Sequence, residues 1–572
     1  MPALAESSTV ATSRRRESWL VAILLLIQAG LLGYSATRHS PTDLEPALLA
    51  AGISHWELGR FELYRVNPPL VRMVAAIPVM AVGGRTDWSQ FHDNPGSRAE
   101  FPVGQDFVKA NGLNSIRLFM YARWACIPFS LVGAFFAYRW AKELYGGNAG
   151  LMTLALYVFE PNLLAHGELI TPDAACSAFG LLAGYTFWRW LKQPTWTRTL
   201  LAGGSLGLAE LSKMSWLILF GLWPVLWLTW RWLTPRVPRQ PSDAGSAVRT
   251  ASFVQLATIV LVAIYAINLG YVFDGTGTPL KEFAFVSSPL SGQTTGSPGN
   301  RFRDTWLGEV RLPLPRQYLL GLDTQKRDFE SYHVRSYLRG ELKQGGWWYY
   351  YIYGLLVKVP CGTWGLFALV VMIRLLGIRP VPIRDELVLV VPAIALLVLV
   401  SSQTEFNTHL RYVFPSLGLA TVFLGQAALL KYHESPLRCV LTSGLLVYTM
   451  LSSAVAYPHH LAYFNDFVGG SRYGYRHLLG SSLDWGQDIL FLQSYMQKTG
   501  CVVTELQGSY AGPEVVKVLL PHLGSSTIHG ERVRIISPNV IISGKNRFPP
   551  QGEMITSTSW VVSESVNIKS GY

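Results

Sequence analysis

Residues 42–70 have the sequence TDLEPALLAAGISHWELGRFELYRVNPPL, and they follow the apolar run WLVAILLLIQAGLLGY at residues 19–34. The apolar run approaches the roughly 20 residues that a helix needs to cross about 30 Å of hydrocarbon. The stretch after it carries carboxylates, aromatic rings, arginines and a Pro-Pro corner, which a short loop between two spans does not need. The pattern predicts a membrane helix followed by a loop that forms part of a site.

The composition of the chain indicates a membrane protein. Of 572 residues, 50% are hydrophobic and only 15% are charged, which is outside the usual range of soluble domains. The formal net charge is +12. Its basic residues form short clusters at the ends of apolar runs and not one polar domain, so they indicate membrane topology and argue against nucleic acid as a partner. The five cysteines lack the spacing of metal ligands and imply no disulfide framework.

The apolar runs predict an all-α polytopic bundle of about 11 transmembrane helices. The loops that this count places in the cytoplasm are basic, which supports the count. The predicted spans are 19–34, 116–140, 151–164, 174–190, 200–211, 216–232, 253–272, 347–376, 387–400, 414–430 and 440–457. The first run lacks a small-residue cleavage site, so it is predicted to be retained and not a signal peptide.

This count divides the chain into three regions. Residues 1–18 form a cytoplasmic tail, residues 19–457 the transmembrane domain, and residues 458–572 a small extracytoplasmic α/β domain. Within the transmembrane domain, loops 37–115 and 274–346 are external and the apolar stretch 71–82 is an interfacial helix. We therefore expect a multi-pass protein of the cell (plasma or inner) membrane, with its carboxy terminus outside.

Unusual polar residues from distant parts of the chain fall on one predicted side of the membrane. They are Asp43, Glu45, Asn67, Glu168, Asp173, Lys213, Lys358, Glu405, His409 and Arg411. Carboxylates beside cations suit a reaction that deprotonates one reactant and stabilises negative charge on a lipid-linked phosphate. The structural alternative stays open: Asp43 and Glu45 could cap a helix that begins near Pro46, and the two lysines could extend to the headgroups.

Several motifs, in this order, resemble the polyprenyl-phosphate-sugar-dependent GT-C glycosyltransferases. This superfamily includes the protein O-mannosyltransferases and the lipid A aminoarabinose transferase. The motifs are the acidic first loop ending in Asn67-Pro68-Pro69-Leu70, the turn Thr171-Pro172-Asp173, the pair Ser212-Lys213, and Arg411-Tyr412 before Pro415. The stretch 463–488, with YFN, GG and SLDWGQD, resembles uncharacterised bacterial members.

The resemblance implies an inverting glycosyltransferase of the cell envelope that uses a polyprenyl-phosphate sugar as donor. A first-loop carboxylate takes a proton from the hydroxyl of a protein, lipid or glycan acceptor. The superfamily usually has adjacent Asp-Glu in this loop, whereas this chain has Asp43-Leu44-Glu45. Either Asp43 has taken over the role of base, or the base is Glu45, or the chemistry is impaired.

The predicted site follows from these roles. The catalytic candidates are Asp43, Glu45 and Asp173, and the donor-phosphate candidates are Arg411, Lys213, Lys358 and His409. Asn67, Pro68 and Pro69 form a rigid corner near the substrate. No cofactor is expected to be required, although a divalent metal held by the three carboxylates is an alternative. The rival functions are a transporter or flippase of a lipid-linked or anionic solute, and a catalytically impaired scaffold.

Overall fold

The computed structural model describes residues 2–235, 244–331, 335–378, 381–403, 407, 409–429, 436–499, 502–507, 512–521 and 532–536. Glu405 and residues 537–572 of the predicted α/β domain lie outside these ranges. The helices of the first half are α1 (Pro2–Ser35), α2 (Glu45–Glu57), α3 (Leu70–Ala81), α4 (Glu100–Asn111), α5 (Asn114–Tyr145), α6 (Gly147–Val158), α7 (Pro161–Gly167), α8 (Asp173–Lys192), α9 (Trp196–Ser212), α10 (Ile218–Leu233) and α11 (Ala244–Gly270).

The second half mixes loop helices, membrane helices and two short strand pairs. Its helices are α12 (Ser288–Ser291), α13 (Arg316–Glu330), α14 (Tyr350–Lys358), α15 (Cys361–Leu375), α16 (Ile383–Ser402), α17 (Phe414–Leu424), α18 (Pro436–Ala456), α19 (Ile489–Thr499) and α20 (Pro513–Leu519). Strands β1 (Ser336–Leu338) and β2 (Glu341–Lys343) pair antiparallel, and β3 (Val502–Gln507) and β4 (Arg532–Ile536) pair parallel.

The chain is a multi-pass membrane protein. Among the described residues, six helices are long and apolar enough to cross a bilayer, or seven if α14 and α15, which meet at 110°, form one span. This is fewer than the predicted eleven. Helices α6 and α9 have 12 and 17 residues, and α8 and α16 have 20 but include three charged residues each. Eleven crossings remain a prediction.

The membrane helices pack around α5 and α8, which are buried along much of their length. Large aromatic side chains fill this centre, and Trp140, Trp188 and Trp216 are almost fully buried. Close packing requires small residues at some crossings: a Cβ atom at Gly180 would lie 1.7 Å from the Trp216 ring. The short turn before α10 is thereby held against α8, which fixes the position of Lys213.

The bundle has two chemically different ends. At the basic end, cations near the helix termini contact residues of neighbouring helices: Lys142 bonds to Glu17 at 2.7 Å, and Arg384 to Thr234 at 2.9 Å. At the opposite end, here called the site end, helices α2, α3 and α4 form a layer over the bundle. Helix α2 is buried from Glu45 to His55. The polar groups at its start therefore need hydrogen-bond partners.

The first part of the carboxy-terminal region joins the bundle instead of forming a separate unit. Apolar side chains between residues 462 and 492 belong to the same hydrophobic cluster as the membrane helices. The Asn465 amide also bonds to the carbonyls of Leu356 and Val359 at the bend between α14 and α15. The predicted boundary at residue 458 therefore does not separate two packing units here.

Candidate functional site

Asp43 lies in the turn that leads into α2. Thr42 and Glu45 have the spacing of a capping box: the Thr42 amide donates to Glu45 Oε2 at 2.8 Å, and the Glu45 amide donates to the Thr42 carbonyl at 3.1 Å. This turn is also held from outside, because the Asp43 amide donates to the carbonyl of Trp485 at 3.2 Å. The local sequence therefore fixes the backbone of Asp43 and leaves its side chain available.

The Asp43 carboxylate is partly buried and has no hydrogen-bond partner among the described residues. Burial raises the pKa of this carboxyl to about 6, and the positive charge of Arg411 acts in the opposite direction. A carboxylate with this pKa is largely ionised at neutral pH and remains a moderate base. Such a group is suited to accept a proton from a hydroxyl.

Glu45, two residues later, has a different environment. Both of its oxygens accept from the buried guanidinium of Arg123 on α5, at 2.8 and 2.6 Å, and one also accepts from the Ile170 amide at 3.2 Å. The side chains of Glu45 and Arg123 are at most 1% exposed. The bonds to Arg123 and Ile170 hold the first loop to α5 and to the turn before α8, and the bonds from Thr42 fix the turn at the start of α2. Glu45 therefore has the structural role that the alternative predicted for it, at the start of a helix. The Asp43 carboxylate stays free of such bonds.

Asp173 is the first residue of α8, and it brings together two of the predicted phosphate ligands. Its Oδ1 accepts from Lys213 Nζ at 2.6 Å, and its Oδ2 lies 3.5 Å from Arg411 Nε. The Lys213 ammonium also lies 4.6 Å from the centre of the Tyr412 ring. Asp173 is thus a buried anchor for two cations and not a free base.

Breaks in the helices place these cations. Lys213 has an extended backbone between the end of α9 and a short 3-10 turn at Met214–Leu217. Arg411 lies in a second 3-10 turn, Leu410–Val413, just before α17. The Arg411 guanidinium stacks on the Trp485 ring at 4.2 Å, and its Nη1 has no hydrogen-bond partner among the described residues. A buried, unpaired N–H group of this kind is available to an incoming anion.

Asp173, Lys213 and Arg411 line a cavity of about 320 Å³ at the site end of the bundle. Asp43 precedes the lining residue Leu44, and Trp485 contacts Arg411, but neither Asp43 nor Trp485 lines the cavity itself. Among the charged lining residues, the cations Arg98, Lys213 and Arg411 outnumber the anions Asp173 and Asp328 by one. The remaining wall is formed by Leu44, Tyr64, Val66, Asn67, Phe101, Thr171, Pro172, Gln325, Phe329, Ser331, His409 and Tyr412. The cavity has room and charge for a singly negative headgroup.

The corner residues and His409 reach this cavity to different extents. Asn67 and His409 line it, whereas Pro68 and Pro69 do not and instead shape the backbone that leads into α3. The Asn67 carbonyl accepts from Arg72 at 2.6 Å, which fixes the corner. His409 Nδ1 bonds to Ser481 Oγ at 2.6 Å. His409 is therefore linked to the carboxy-terminal region.

Lys358, a predicted phosphate ligand, does not line this cavity. Its ammonium donates to the carbonyls of Leu461 and Ser482, both at 2.7 Å. It also lies 4.7 Å from the centre of the Phe464 ring. These contacts join the end of α14 to the carboxy-terminal region, so Lys358 has a structural position.

The three predicted carboxylates do not converge on a metal site. In the part of the chain that the structure describes, the group of histidine and acidic atoms within 4.8 Å of one another is His39, His459 and Asp488. Glu45 is paired with Arg123 and Asp173 with Lys213, so neither offers an uncompensated charge to a cation.

Three residues that line the cavity or hold other site residues in place were not predicted from the sequence, namely Arg98, Arg123 and Trp485. Arg98 precedes α4 and is held by Glu100 at 2.5 Å and by Asp328 of α13, which lies in the long second loop. Trp485 was part of a quoted motif with no assigned chemistry. A charged residue inside an apolar run, such as Arg123, is a usable signal, because burial in a membrane helix requires a partner. The spacing of residues along the sequence does not indicate which side chains Arg98 and Trp485 contact.

Residues 117–240 match the family model described as Dolichyl-phosphate-mannose-protein mannosyltransferase. The chain is similar to the GT-C polyprenyl-phosphate-sugar glycosyltransferase superfamily. The matched range begins in α5, ends just after α10, and includes Asp173 and Lys213. The resemblance indicated by the motifs is confirmed at the level of the superfamily.

Two solved structures are distantly similar over most of the chain. ArnT from Cupriavidus metallidurans in the apo state is 12% identical, with a TM-score of 0.45 over 93% of this chain and 88% of that one. AglB from Archaeoglobus fulgidus, in complex with an inhibitory peptide and a dolichol-phosphate, is 9% identical, with a TM-score of 0.45 over 89% of this chain and 64% of that one. No residue role passes from either protein to this chain. No curated protein sequence matches the chain.

Proposed function

We propose that this protein is a membrane glycosyltransferase that transfers a sugar from a polyprenyl-phosphate carrier to a hydroxyl acceptor on the extracytoplasmic side. The observation that carries the proposal is the combination of an unbonded Asp43 carboxylate with Arg411, whose unpaired Nη1 lies at a cavity with one excess positive charge. A base beside an anion site is the arrangement that this reaction needs.

In the proposed reaction, Asp43 accepts the proton of the acceptor hydroxyl as its oxygen attacks the anomeric carbon of the donor sugar. The bond between that carbon and the phosphate oxygen breaks, and the polyprenyl phosphate leaves with the bonding electrons. A single displacement inverts the configuration at the anomeric carbon. The reaction needs no further reactant, because the proton moves to Asp43 and the negative charge moves to the phosphate.

The donor phosphate is proposed to bind Arg411 and Lys213. A polyprenyl-phosphate sugar carries one negative charge, which equals the excess positive charge among the lining residues. Arg411 can donate from Nη1 to a phosphate oxygen while Asp173 and Trp485 hold the guanidinium. Charge grows on the phosphate as the sugar leaves, so these contacts strengthen in the transition state. The cations can supply this stabilisation without a metal.

The cavity is proposed to face away from the cytoplasm. Lys142, Arg189 and Arg384 lie at the opposite, basic end of the bundle, and basic loop residues favour the cytoplasmic side. A lipid carrier spanning the hydrophobic region can present its headgroup at the site end while its polyprenyl chain stays in the bilayer. The acceptor then approaches through the loops that carry Asp43 and α13.

The experiment is transfer of radiolabelled mannose, glucose or aminoarabinose from polyprenyl phosphate by the purified protein, with envelope extracts as the source of acceptor. Asp43→Asn is expected to lower the rate by about 10²–10⁴-fold, the usual contribution of a general base. Asp87→Asn, at an exposed position outside the cavity lining, is the matched control and should retain full activity.

A second variant tests which position carries the base. Leu44 lines the cavity at the place where the superfamily usually has its first acid. In the Asp43→Asn background, Leu44→Asp is expected to restore part of the lost activity. Full activity in Asp43→Asn alone would overturn the assignment of the base, and no turnover of any donor by the wild type would overturn the proposed function.

A further inference from the structure

A second cluster of polar side chains lies beside the first loop, outside the cavity described above. His39 follows α1, His459 follows α18, and Asp488 immediately precedes α19, so the cluster joins residues more than 400 positions apart. The His459 Nδ1 to Asp488 Oδ1 distance is 3.3 Å, and the His39 Nε2 to Asp488 Oδ1 distance is 4.0 Å. The three atoms lie within 4.8 Å of one another.

The hydrogen bond on the other side of the His39 ring orients it toward this cluster. Glu168 Oε1 lies 2.8 Å from His39 Nδ1, which favours a proton on Nδ1 and a lone pair on Nε2. His39 is 3% exposed, and its Nε2 has no hydrogen-bond partner among the described residues. A carboxylate that orients a histidine in this way is the usual outer partner of a metal ligand.

We propose that His39 Nε2, His459 Nδ1 and Asp488 Oδ1 bind a divalent transition-metal ion of the zinc type. Two imidazole nitrogens and one carboxylate oxygen are a ligand set that Zn²⁺ accepts, with a fourth position left for water. Tetrahedral coordination needs ligand atoms about 3.3–3.5 Å apart. The His459–Asp488 pair, at 3.3 Å, already fits, and His39 needs to move closer to Asp488 than its present 4.0 Å.

The charges around the cluster balance a divalent ion. Asp488 and Glu168 supply two negative charges, while the nearby Arg123 is already paired with Glu45 at 2.6 Å. The ring of Phe491 lies 5.5 Å from that of His39 and 4.6 Å from that of His459, which gives the site an apolar wall. Without a metal, a proton on Nε2 would face Asp488 at 4.0 Å, beyond hydrogen-bond reach.

A metal at this position would clamp the first loop to the carboxy-terminal region. Backbone hydrogen bonds already join the two segments on either side: the Ser40 amide donates to the Gln487 carbonyl at 2.9 Å, and the Asp43 amide to the Trp485 carbonyl at 3.2 Å. A ligand set of this kind does not exist in the unfolded chain, so bound metal stabilises the folded state. Metal binding does not depend on the proposed sugar transfer.

The test is metal binding by the full-length protein, purified with a tag that contains no histidine, stripped with a chelator and equilibrated with Zn²⁺. We expect about one Zn²⁺ per chain by elemental analysis, and at least a 10-fold weaker affinity in His459→Ala and Asp488→Asn, consistent with loss of a ligand. His92→Ala, an exposed histidine of the first loop, is the matched control and should bind like the wild type.

Two further measurements distinguish the loss of a metal ligand from a failure of the variant to fold. Co²⁺ should give visible absorption bands in the wild type that Zn²⁺ removes, and His459→Gln should retain the elution volume of the wild type in detergent while losing those bands. Zn²⁺ should also raise the thermal midpoint of the wild type and not that of His459→Gln. Less than 0.2 Zn²⁺ per wild-type chain, or unchanged binding in His459→Gln, would overturn the proposal.

Discussion

At the scale of single residues, two carboxylates separated by one leucine have opposite surroundings. Glu45 is enclosed by Arg123 and backbone amides, whereas Asp43 has no hydrogen-bond partner among the described residues. From the sequence alone, either acid is a candidate for the base. Only the position of Arg123 on α5 separates their roles, because a bidentate ion pair occupies the lone pairs that a base must keep free.

The first prediction concerns the pH dependence of transfer. Asp43 must be ionised to accept a proton, and burial raises its pKa to about 6. We therefore expect kcat/KM to fall about tenfold per pH unit below this pKa and to be constant just above it. The measurement is kcat/KM between pH 4.5 and 8, with stability checked at each pH. A profile that stays flat down to pH 4.5 would contradict this role of Asp43.

The second prediction concerns the buried pair of Glu45 and Arg123. Removing one partner leaves the other charge buried and unpaired, so Arg123→Met or Glu45→Gln should each lower the free energy of unfolding by about 3–5 kcal/mol. The double variant should be more stable than the sum of the two losses predicts, because the residues are coupled. Denaturation in detergent gives the values. Additive losses would show that the pair does not act as a unit.

At the scale of elements, interruptions of the helices place two cationic side chains at the cavity. Lys213 lies between α9 and a 3-10 turn, and Arg411 lies in a 3-10 turn before α17. Continuous helices would direct these side chains along the bundle surface, whereas the breaks direct them into the cavity. The carboxy-terminal region adds Trp485 against the Arg411 guanidinium, and so supports a residue that lines the cavity.

The third prediction tests the contact between Trp485 and Arg411. Trp485→Ala removes the ring that lies 4.2 Å from the Arg411 guanidinium. A buried contact of this type contributes about 2 kcal/mol, so we expect about a 30-fold loss in kcat/KM for the donor. Trp485→Phe should keep part of the activity, because a ring remains.

Trp306→Ala is the matched control for this variant, since Trp306 is 79% exposed and does not line the cavity. An equal loss in Trp306→Ala and Trp485→Ala would indicate a general effect of removing an indole ring. That result would contradict the specific contact with Arg411.

At the scale of the whole molecule, the basic end and the site end are separate, and we propose that the basic end faces the cytoplasm. The fourth prediction uses single cysteines introduced into a cysteine-free variant. Ser297→Cys, in the loop between α12 and α13, should react in intact cells with a maleimide that does not cross membranes. Gln193→Cys, in the turn between α8 and α9, should react only after permeabilisation. Both positions are exposed, so the reverse pattern would place the cavity in the cytoplasm.

The amino-acid sequence by itself determined that this protein crosses the membrane repeatedly, that its basic residues gather near helix ends, and that Asp43, Asp173, Lys213 and Arg411 are candidates for one site. Hydropathy and helix length are properties of contiguous residues, so a single sequence contains them. Only the tertiary structure decided that Glu45 is bound by Arg123, that Lys358 is held by two carbonyls, and that Trp485 supports Arg411. These outcomes depend on packing between segments up to hundreds of residues apart, and spacing along the chain does not encode which side chain satisfies which charge.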